Sequence, residues 1–168
     1  DSVDLAAIAR GASGDTMLER EGIDVRLVGT DEPAVVEADI RRIDRIVRNL
    51  LTNAAKYSGS PVVEIEVAQD DHLVSLAVRD FGVGLSGDEN LRVFDRFWRA
   101  DPARTQGGTG LGLAISREDA VLHGGSLQAW GRPGEGSEFV LTLPKIVPTV
   151  EQKDGGGGPA PLVQSVFA

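Results

Sequence analysis

The 168-residue sequence contains no cysteine. This absence excludes a disulfide framework, a thiolate metal site and a cysteine nucleophile. The sequence also has no apolar run near the ~20 residues that cross a bilayer, and no signal-peptide pattern at its start. Acidic residues outnumber basic ones by 26 to 17, which gives a formal net charge of −9. A surface of this charge repels nucleic acid and anionic lipid, so neither is an expected partner.

The length and composition predict one globular domain with its own hydrophobic core. The composition changes after Lys145, where Pro, Gly and polar residues dominate. We therefore expect a domain over residues 1–146 and a flexible C-terminal tail over residues 147–168. The chain begins with Asp1 rather than methionine, which is typical of a fragment of a longer protein.

Hydrophobic periodicity predicts paired strands separated by helices. The clearest helix runs from Asp39 to about Tyr57, where apolar side chains recur every three to four residues. The other predicted elements are a weak helix over 5–21, strands over 23–28 and 34–37, strand pairs over 62–68 with 73–80 and 126–131 with 137–143, and a helix over 111–122. This order predicts an α+β fold, in which helices cover one face of a mixed, mostly antiparallel sheet.

A polar stripe runs along the long helix. Asn49, Asn53 and Lys56 fall at positions i, i+4 and i+7, so they share one side of the helix. Two asparagines in one stripe are unusual, because Asn is a mediocre helix former. One interpretation is a solvated face, and it is favoured for Asn49 or Lys56 taken alone. The other is an oxygen ligand for Mg²⁺ beside a cation that pairs with phosphate.

The strand over 73–80 ends in an acidic residue on the core-facing row, because Val78 and Asp80 lie on the same side by alternation. A buried carboxylate must find hydrogen-bond donors, and an ionised Asp only accepts. The exocyclic amino group of adenine is such a donor, whereas the carbonyl of guanine is repelled. The alternative is that Asp80 caps a turn in which Gly82 and Gly84 bend the backbone. The motif alone leaves both interpretations open.

Residues 81–109 show little periodicity and predict a long connection, which in a compact domain is typical of a functional lid. Arg96 and Arg99 lie among three aromatic residues there, either as phosphate contacts or as solvated charges around a small apolar cluster. The glycine-rich stretch from Gly107 to Leu113 follows and opens a helix. Its backbone N–H groups and the helix N-terminus favour an anion, although a simple hinge is the alternative. No Gly-Lys-Ser/Thr follows, so the stretch is not a Walker loop.

Taken together and in this order, the four motifs resemble the N, G1, F and G2 boxes of sensor histidine kinases. They read Asn-x-x-x-Asn-Ala-x-Lys-Tyr from Asn49, Asp-x-Gly-x-Gly from Asp80, Phe-x-Arg-Phe-x-Arg from Phe94, and Gly-x-Gly-x-Gly-Leu from Gly108. The resemblance spans about Val3 to Pro144. It implies the Bergerat ATP-binding fold of the GHKL superfamily, a two-layer α/β sandwich with a mobile ATP lid.

The same resemblance implies the roles of the motif residues. Asn53 would hold Mg²⁺, and Asp80 would accept from the adenine amino group. The residues assigned to catalysis are Asn49, Lys56, Arg96 and Arg99. The residues assigned to ATP binding are Asn49, Asn53, Lys56, Tyr57, Asp80, Gly82, Gly84, Gly108, Thr109, Gly110, Leu111, Gly112 and Leu113.

Related ATPases of this superfamily resemble the same fold but carry a water-activating Glu where Asn49 stands. Asn cannot act as a general base, so we expect slow ATP hydrolysis and transfer of the γ-phosphoryl group to a protein acceptor. Neither histidine of the chain fits the acceptor, because His72 falls in a predicted hairpin turn and His123 at a predicted helix end. The acceptor histidine is therefore expected on a separate dimerisation domain.

The expected function is the ATP-binding catalytic domain of a two-component sensor histidine kinase. Its expected partners are ATP, Mg²⁺, the phosphoacceptor domain and a cognate response regulator. The whole protein is expected to be a membrane-bound homodimer, with this domain on the cytoplasmic side of a bacterial inner membrane. The alternatives are a nucleotide-binding module without transfer activity and a GHKL ATPase.

Overall fold

The computed structural model describes residues 1–57, 59–95, 112–146, 158–163 and 165–167. The elements, in chain order, are β1 (Ser2–Asp4), α1 (Leu5–Ser13), α2 (Thr16–Arg20), β2 (Asp24–Val28), β3 (Val35–Glu37), α3 (Ile40–Tyr57), β4 (Val62–Gln69), β5 (Leu73–Asp80), α4 (Gly87–Arg92), α5 (Gly112–Leu122), β6 (Ser126–Arg132) and β7 (Gly136–Pro144). Of the helices in these ranges, none has the length and apolarity needed to cross a membrane.

Five strands form one mixed sheet in the order β2-β4-β5-β7-β6. Strand β2 pairs parallel with β4, and the other neighbours pair antiparallel. Strands β1 and β3 form a separate antiparallel pair. The core lies between the five-stranded sheet and helices α1, α3 and α5. This arrangement confirms the predicted α+β fold.

The apolar stripe of α3 is the centre of this core. Ile43, Ile46, Val47 and Leu50 are fully buried, and they face the inner row of the sheet. Burying one such side chain contributes about 1.5–3 kcal/mol. The stripe therefore sets the rotation of α3 about its axis, and it turns the side of the helix that carries Asn49 away from the sheet.

The first segment differs from the single helix expected over residues 5–21. Helix α1 ends at Ser13 with Gly14 as its C-cap, and a second short helix, α2, follows. Strand β1 precedes α1 and was not predicted. A strand of three residues is too short to show a period, and its partner β3 lies more than thirty residues away along the chain.

The central strands β5 and β7 of the sheet are buried on both faces. Ser75, Ala77 and Arg79 alternate along β5 with the core-facing residues, so they point away from the helices, and each is at most 5% exposed. Arg79 pairs there with Glu138 and with Glu64, whose Oε1 lies 2.8 Å from Arg79 Nη1. These ion pairs let a charged residue occupy the covered face.

Residues of the C-terminal segment lie over this outer face. Val163 is 6% exposed and packs with Ala77 and Val140. This packing departs from the flexible tail expected over residues 147–168, within the ranges 158–163 and 165–167. The physical reason is that Ala77 and Val140, in the outward rows of β5 and β7, are apolar and are stabilised when an apolar residue covers them. The domain limit at residue 146 stays a prediction.

The turn after β5 is wedged against the β6–β7 hairpin. Gly84 has φ +74°, and a Cβ on it would lie 1.9 Å from the carbonyl oxygen of Arg132. A Cβ on Gly136 would lie 2.1 Å from the carbonyl oxygen of Asp80. The backbone N–H of Gly134 also donates to the carbonyl of Val83, at 2.8 Å. The backbone of the turn therefore packs directly on the backbone of the hairpin. Glycine is required at Gly84 and Gly136, where these two segments touch.

We predict that Gly84→Ala destabilises the domain far more than Gly134→Ala. Both glycines have positive φ, but Gly134 has no atom within 4 Å of an added Cβ. Gly134→Ala should lower the free energy of unfolding by about 1 kcal/mol, from backbone strain alone. Gly84→Ala should lower it by about 3 kcal/mol or more, because the steric overlap adds to that strain. Urea unfolding of both variants measures the difference, and equal losses would contradict the wedge.

Candidate functional site

Helix α5 runs antiparallel to α3 and begins beside the polar stripe of α3. Asn49 Nδ2 donates to Ser116 Oγ at 3.2 Å. Gly112, the first residue of α5, lies so close that a Cβ on it would be 3.8 Å from Asn49 Nδ2. The structure thus brings two of the predicted motifs together, the asparagine stripe and the last described glycine of the glycine-rich stretch. The contact places the N-terminal end of α5 next to an amide group on α3.

A buried carboxylate joins the same two helices one turn further along. Asp119 has a side chain only 4% exposed, and it accepts from Arg42 Nη1 at 2.6 Å and from Arg45 Nη2 at 2.7 Å. Burial raises the pKa of this carboxyl, but the hydrogen bonds and charges of Arg45 and Arg42 lower it more, so the pKa lies below its usual value. This ionised clamp holds α5 at a fixed position along α3.

His123 makes the third contact between α3 and α5. Its Nε2 accepts from the backbone N–H of Asp39 at 3.1 Å, and its Nδ1 donates to the carbonyl of Asp119 at 2.7 Å. The ring therefore satisfies a backbone donor at the start of α3 and a backbone acceptor at the end of α5. Both ring nitrogens are engaged, at the helix end where the sequence placed His123.

Asp80 ends β5 on the core-facing row, as predicted, and is 2% exposed. Its Oδ2 accepts from Ser137 Oγ at 2.6 Å, and its Oδ1 accepts from the backbone N–H of Gly82 at 3.1 Å. Burial raises the pKa of this carboxyl above its usual value, and the hydrogen bonds from Ser137 and Gly82 offset part of the rise. Asp80 is therefore a carboxylate that the fold buries at a cost.

Of the remaining predicted site residues, some lie in the described part of the chain and others lie outside it. Asn53 is half-buried on α3, one turn after Asn49. Gly82 and Gly84 lie in the turn after β5, where Gly84 meets the hairpin backbone. Leu113 packs against the core. Lys56 and Tyr57 belong to α3, but their side chains lie outside the described part, and so do all of Arg96, Arg99, Gly108, Thr109, Gly110 and Leu111.

A magnesium ion fits the donor chemistry of α3. The amide oxygens of Asn49 and Asn53 are hard ligands, one helical turn apart. Mg²⁺ is commonly held in kinases by one or two protein oxygens, and substrate phosphates and water supply the rest. In the described part of the chain, no group of three His, Cys, Asp or Glu side chains is arranged to hold a metal.

Sequence reasoning missed Ser137 and Ser116, the partners of Asp80 and Asn49. Ser137 is 57 residues from Asp80, and the pairing of β5 with β7 sets it opposite. Ser116 is fully buried on α5. Ser116 lies on the apolar side of a predicted helix, and this position was the one sequence signal that its hydroxyl group needs a buried partner. Nothing local in the sequence pointed to Ser137.

Comparison with known proteins identifies similar chains. Residues 38–146 match the family described as histidine kinase-, DNA gyrase B-, and HSP90-like ATPase. The chain is 47% identical over 150 residues to the sensor histidine kinase MtrB of Mycobacterium tuberculosis, covering 87% of this chain and 26% of that protein. It is 40% identical over 119 residues to WalK of Bacillus subtilis, covering 68% of this chain and 20% of that protein. The chain thus spans about a quarter or less of these relatives.

Solved structures agree with these matches. A mycobacterial sensor histidine kinase, MprB, superposes with a TM-score of 0.76 at 30% identity, covering 88% of this chain and 100% of that chain. The catalytic domain of the histidine kinase ThkA gives 0.76 at 26% identity, with 87% and 95% covered. Full-length ShkA in complex with AMPPNP gives 0.77 at 26% identity, with 89% and 32% covered.

We predict that Asp80→Asn stabilises the nucleotide-free domain at neutral pH. A raised pKa in the folded state means that the folded protein binds more protons than the unfolded one, so stability is greatest below pH 3.8, the usual value. Stability is then lost as the pH rises from there through the folded pKa. An uncharged Asn removes this loss. Thermal unfolding of both proteins across pH measures the effect.

The control is Asp71→Asn, at an exposed residue of the β4–β5 turn. Its melting temperature should differ little from that of the parent protein at every pH. The advantage of Asp80→Asn should shrink as the solution becomes acidic enough to protonate Asp80. An advantage that does not depend on pH would contradict the burial argument.

Proposed function

The chain belongs to the family of histidine kinase-, DNA gyrase B-, and HSP90-like ATPases, and from this premise we propose that it is the ATP-binding catalytic domain of a two-component sensor histidine kinase. It transfers the γ-phosphoryl group of ATP to a histidine on a separate dimerisation and phosphoacceptor domain. The two relatives named above are sensor histidine kinases, and they are about four to five times as long as the matched region.

The contact between Asn49 and Gly112 is the observation that carries this proposal. The N-terminal end of a helix attracts anions, because its backbone N–H groups are unpaired and its dipole is positive there. This end of α5 lies beside Asn49 of the polar stripe of α3. A phosphate chain at the end of α5 would lie within reach of the amides of α3. Lys56 on α3 adds a cation to the same stripe by its position in the sequence.

Asp80 supports adenine as the base. Its carboxylate is buried and accepts from two groups of its own chain, Ser137 and Gly82. A carboxylate oxygen accepts more than one hydrogen bond, so a donor from the base adds to these contacts. The exocyclic amino group of adenine is such a donor, and it offsets the desolvation of Asp80. Guanine would turn a carbonyl oxygen toward the carboxylate and be repelled.

Mg²⁺ would be held by Asn53, with Asn49 beside it. The ion supplies charge neutralisation for the phosphates when it is bound. Phosphoryl transfer depends mainly on positioning and charge, which this chain's own residues provide. Asn49 orients the phosphates by hydrogen bonding and cannot deprotonate water, because an amide is not a base. Hydrolysis is therefore slow, and a histidine side chain is the acceptor.

The histidines of the chain are poorly suited to be that acceptor. His123 uses both ring nitrogens in contacts between α3 and α5, and His72 sits exposed in the β4–β5 turn. The partners we assign are therefore the phosphoacceptor domain and the cognate response regulator. The whole protein is a membrane-bound homodimeric sensor, with this domain in the cytoplasm. Arg96, Arg99 and the residues Gly108 to Leu111 are assigned to phosphate binding by their motifs.

The test combines this chain with the helical hairpin domain of a sensor histidine kinase, radiolabelled ATP and Mg²⁺. We expect an acid-labile phosphohistidine on the hairpin domain and slow phosphate release without it. Asn53→Ala should abolish both the transfer and the Mg²⁺ dependence of ATP binding in calorimetry. Asp80→Asn should weaken ATP binding by about five- to a hundredfold, which corresponds to a lost buried hydrogen bond.

The matched control is Asn90→Ala, which removes an amide of the same type from α4. Its side chain bonds the carbonyl of Gly131 rather than a residue of the proposed site, so ATP affinity should change little. ATP binding without phosphotransfer would favour the nucleotide-binding module. Rapid Mg²⁺-dependent phosphate release would favour a GHKL ATPase. Equal affinities for ATP and GTP would count against the adenine role of Asp80.

A further inference from the structure

At strands β5 and β7, the outer face of the sheet is as fully buried as the inner face. Ser75 and Ala77 on β5, and Val140 and Thr142 on β7, are at most 1% exposed, yet they alternate with the residues that face the helices. Such a surface of small residues and hydroxyl groups is stable in water only when it is covered. The cover contains the C-terminal residues 158–163 and 165–167, which we call the C-terminal strap.

The strap is held by polar contacts as well as by packing. Ser126 Oγ donates to the carbonyl of Pro159 at 2.7 Å. The backbone N–H of Leu162 donates to Ser75 Oγ at 3.0 Å, and that hydroxyl also bonds Thr142 Oγ1 at 2.9 Å. Val163 then fills the space over Ala77 and Val140. The strap therefore makes directional bonds to buried groups of β5 and β6.

The strap ends against the residue that follows Asp80. The ring of Phe167 is 8% exposed and meets the ring of Phe81 edge-on, with centroids 6.4 Å apart at 60°. Asp80 points to the helix side of the sheet, whereas the strap that contacts Phe81 covers the outer side. Phe167 therefore supports the turn from behind, on the face opposite to the carboxylate.

A movement of this turn would move the carboxylate. Asp80 Oδ1 accepts from the N–H of Gly82, so the side chain and the turn are bonded to each other. The N–H of Phe81 donates to Ser60 Oγ at 3.2 Å. The glycine contact with Arg132 holds the far end of the turn at Gly84. Phe81 itself is 44% exposed, so the Phe167 ring supplies much of what holds its side chain.

We propose that the C-terminal strap is a positioning element of the nucleotide site, in which Phe167 holds Phe81 and thereby fixes the Asp80–Gly82 turn for the adenine base. The proposal rests on the proposed role of Asp80 in binding adenine. Phe167 does not touch the nucleotide in this scheme. It acts through Phe81, from the opposite face of the sheet.

The test compares Phe167→Ala with Val166→Ala in the full chain. Val166 is adjacent and 59% exposed, so its loss removes apolar surface without removing the ring contact. We expect Phe167→Ala to speed amide hydrogen exchange at Gly82 without nucleotide, and to weaken Mg²⁺–ATP binding about two- to tenfold, as expected for an aromatic pair. Val166→Ala should match the parent protein in both measurements, and Phe167→Tyr should restore both.

A second variant, Val163→Asp, should detach the strap by placing a charge against Ala77 and Val140. It should reproduce both effects of Phe167→Ala, with circular dichroism confirming that the domain stays folded. Unchanged exchange at Gly82 and unchanged ATP affinity in Phe167→Ala would overturn the proposal and leave the strap a simple cover. If the parent chain binds no ATP, the proposed function fails instead, and the exchange at Gly82 still decides whether Phe167 holds the turn.

Discussion

Burial of the apolar stripe of α3 against the sheet is the constraint on which the rest of the site depends. The stripe fixes the rotation of the helix about its axis, because turning the helix would expose Ile43, Ile46 and Leu50 to water. The flank of the helix next to the stripe then carries the half-buried Asn49 and Asn53, and Asn49 faces α5. Apolar packing thus performs the coarse positioning, and polar contacts such as Asn49 to Ser116 refine it. A site built on a core helix is rigid for the same reason that the core is stable.

Asp119 and Asp80 are both buried carboxylates, and they show two different uses of charge. Asp119 lies between two arginines that lower its pKa, so it stabilises the joint between α3 and α5. Asp80 has hydroxyl and amide donors but no cation among the groups that shift its pKa, and burial raises that pKa. The first carboxylate stabilises the fold. The second destabilises it, and such sites are commonly functional, because the cost is recovered when a ligand donates to the buried group.

The two faces of the sheet are covered by different parts of the chain. Its inner face packs on the helices that carry Asn49 and Ser116, and the outer face of β5, β6 and β7 contacts a short C-terminal segment. The two faces are joined at the end of β5, where Asp80 lies on the helix side and the next residue, Phe81, contacts the strap. In our proposal, a change on the outer face reaches the inner face through this single turn. Glycine packing at Gly84 and Gly136 holds the turn against the β6–β7 hairpin.

The sequence by itself determined the helix at Asn49, the strand ending at Asp80, the α+β order and the motifs that resemble a kinase family. These signals are local, because each depends on periods or spacings within one element. Only the tertiary structure decided that Ser137 faces Asp80, that Asp119 lies between Arg42 and Arg45, and that Val163 and Phe167 cover the sheet. Each of these contacts joins residues far apart in the chain, and no local pattern encodes which distant partner a buried group will meet.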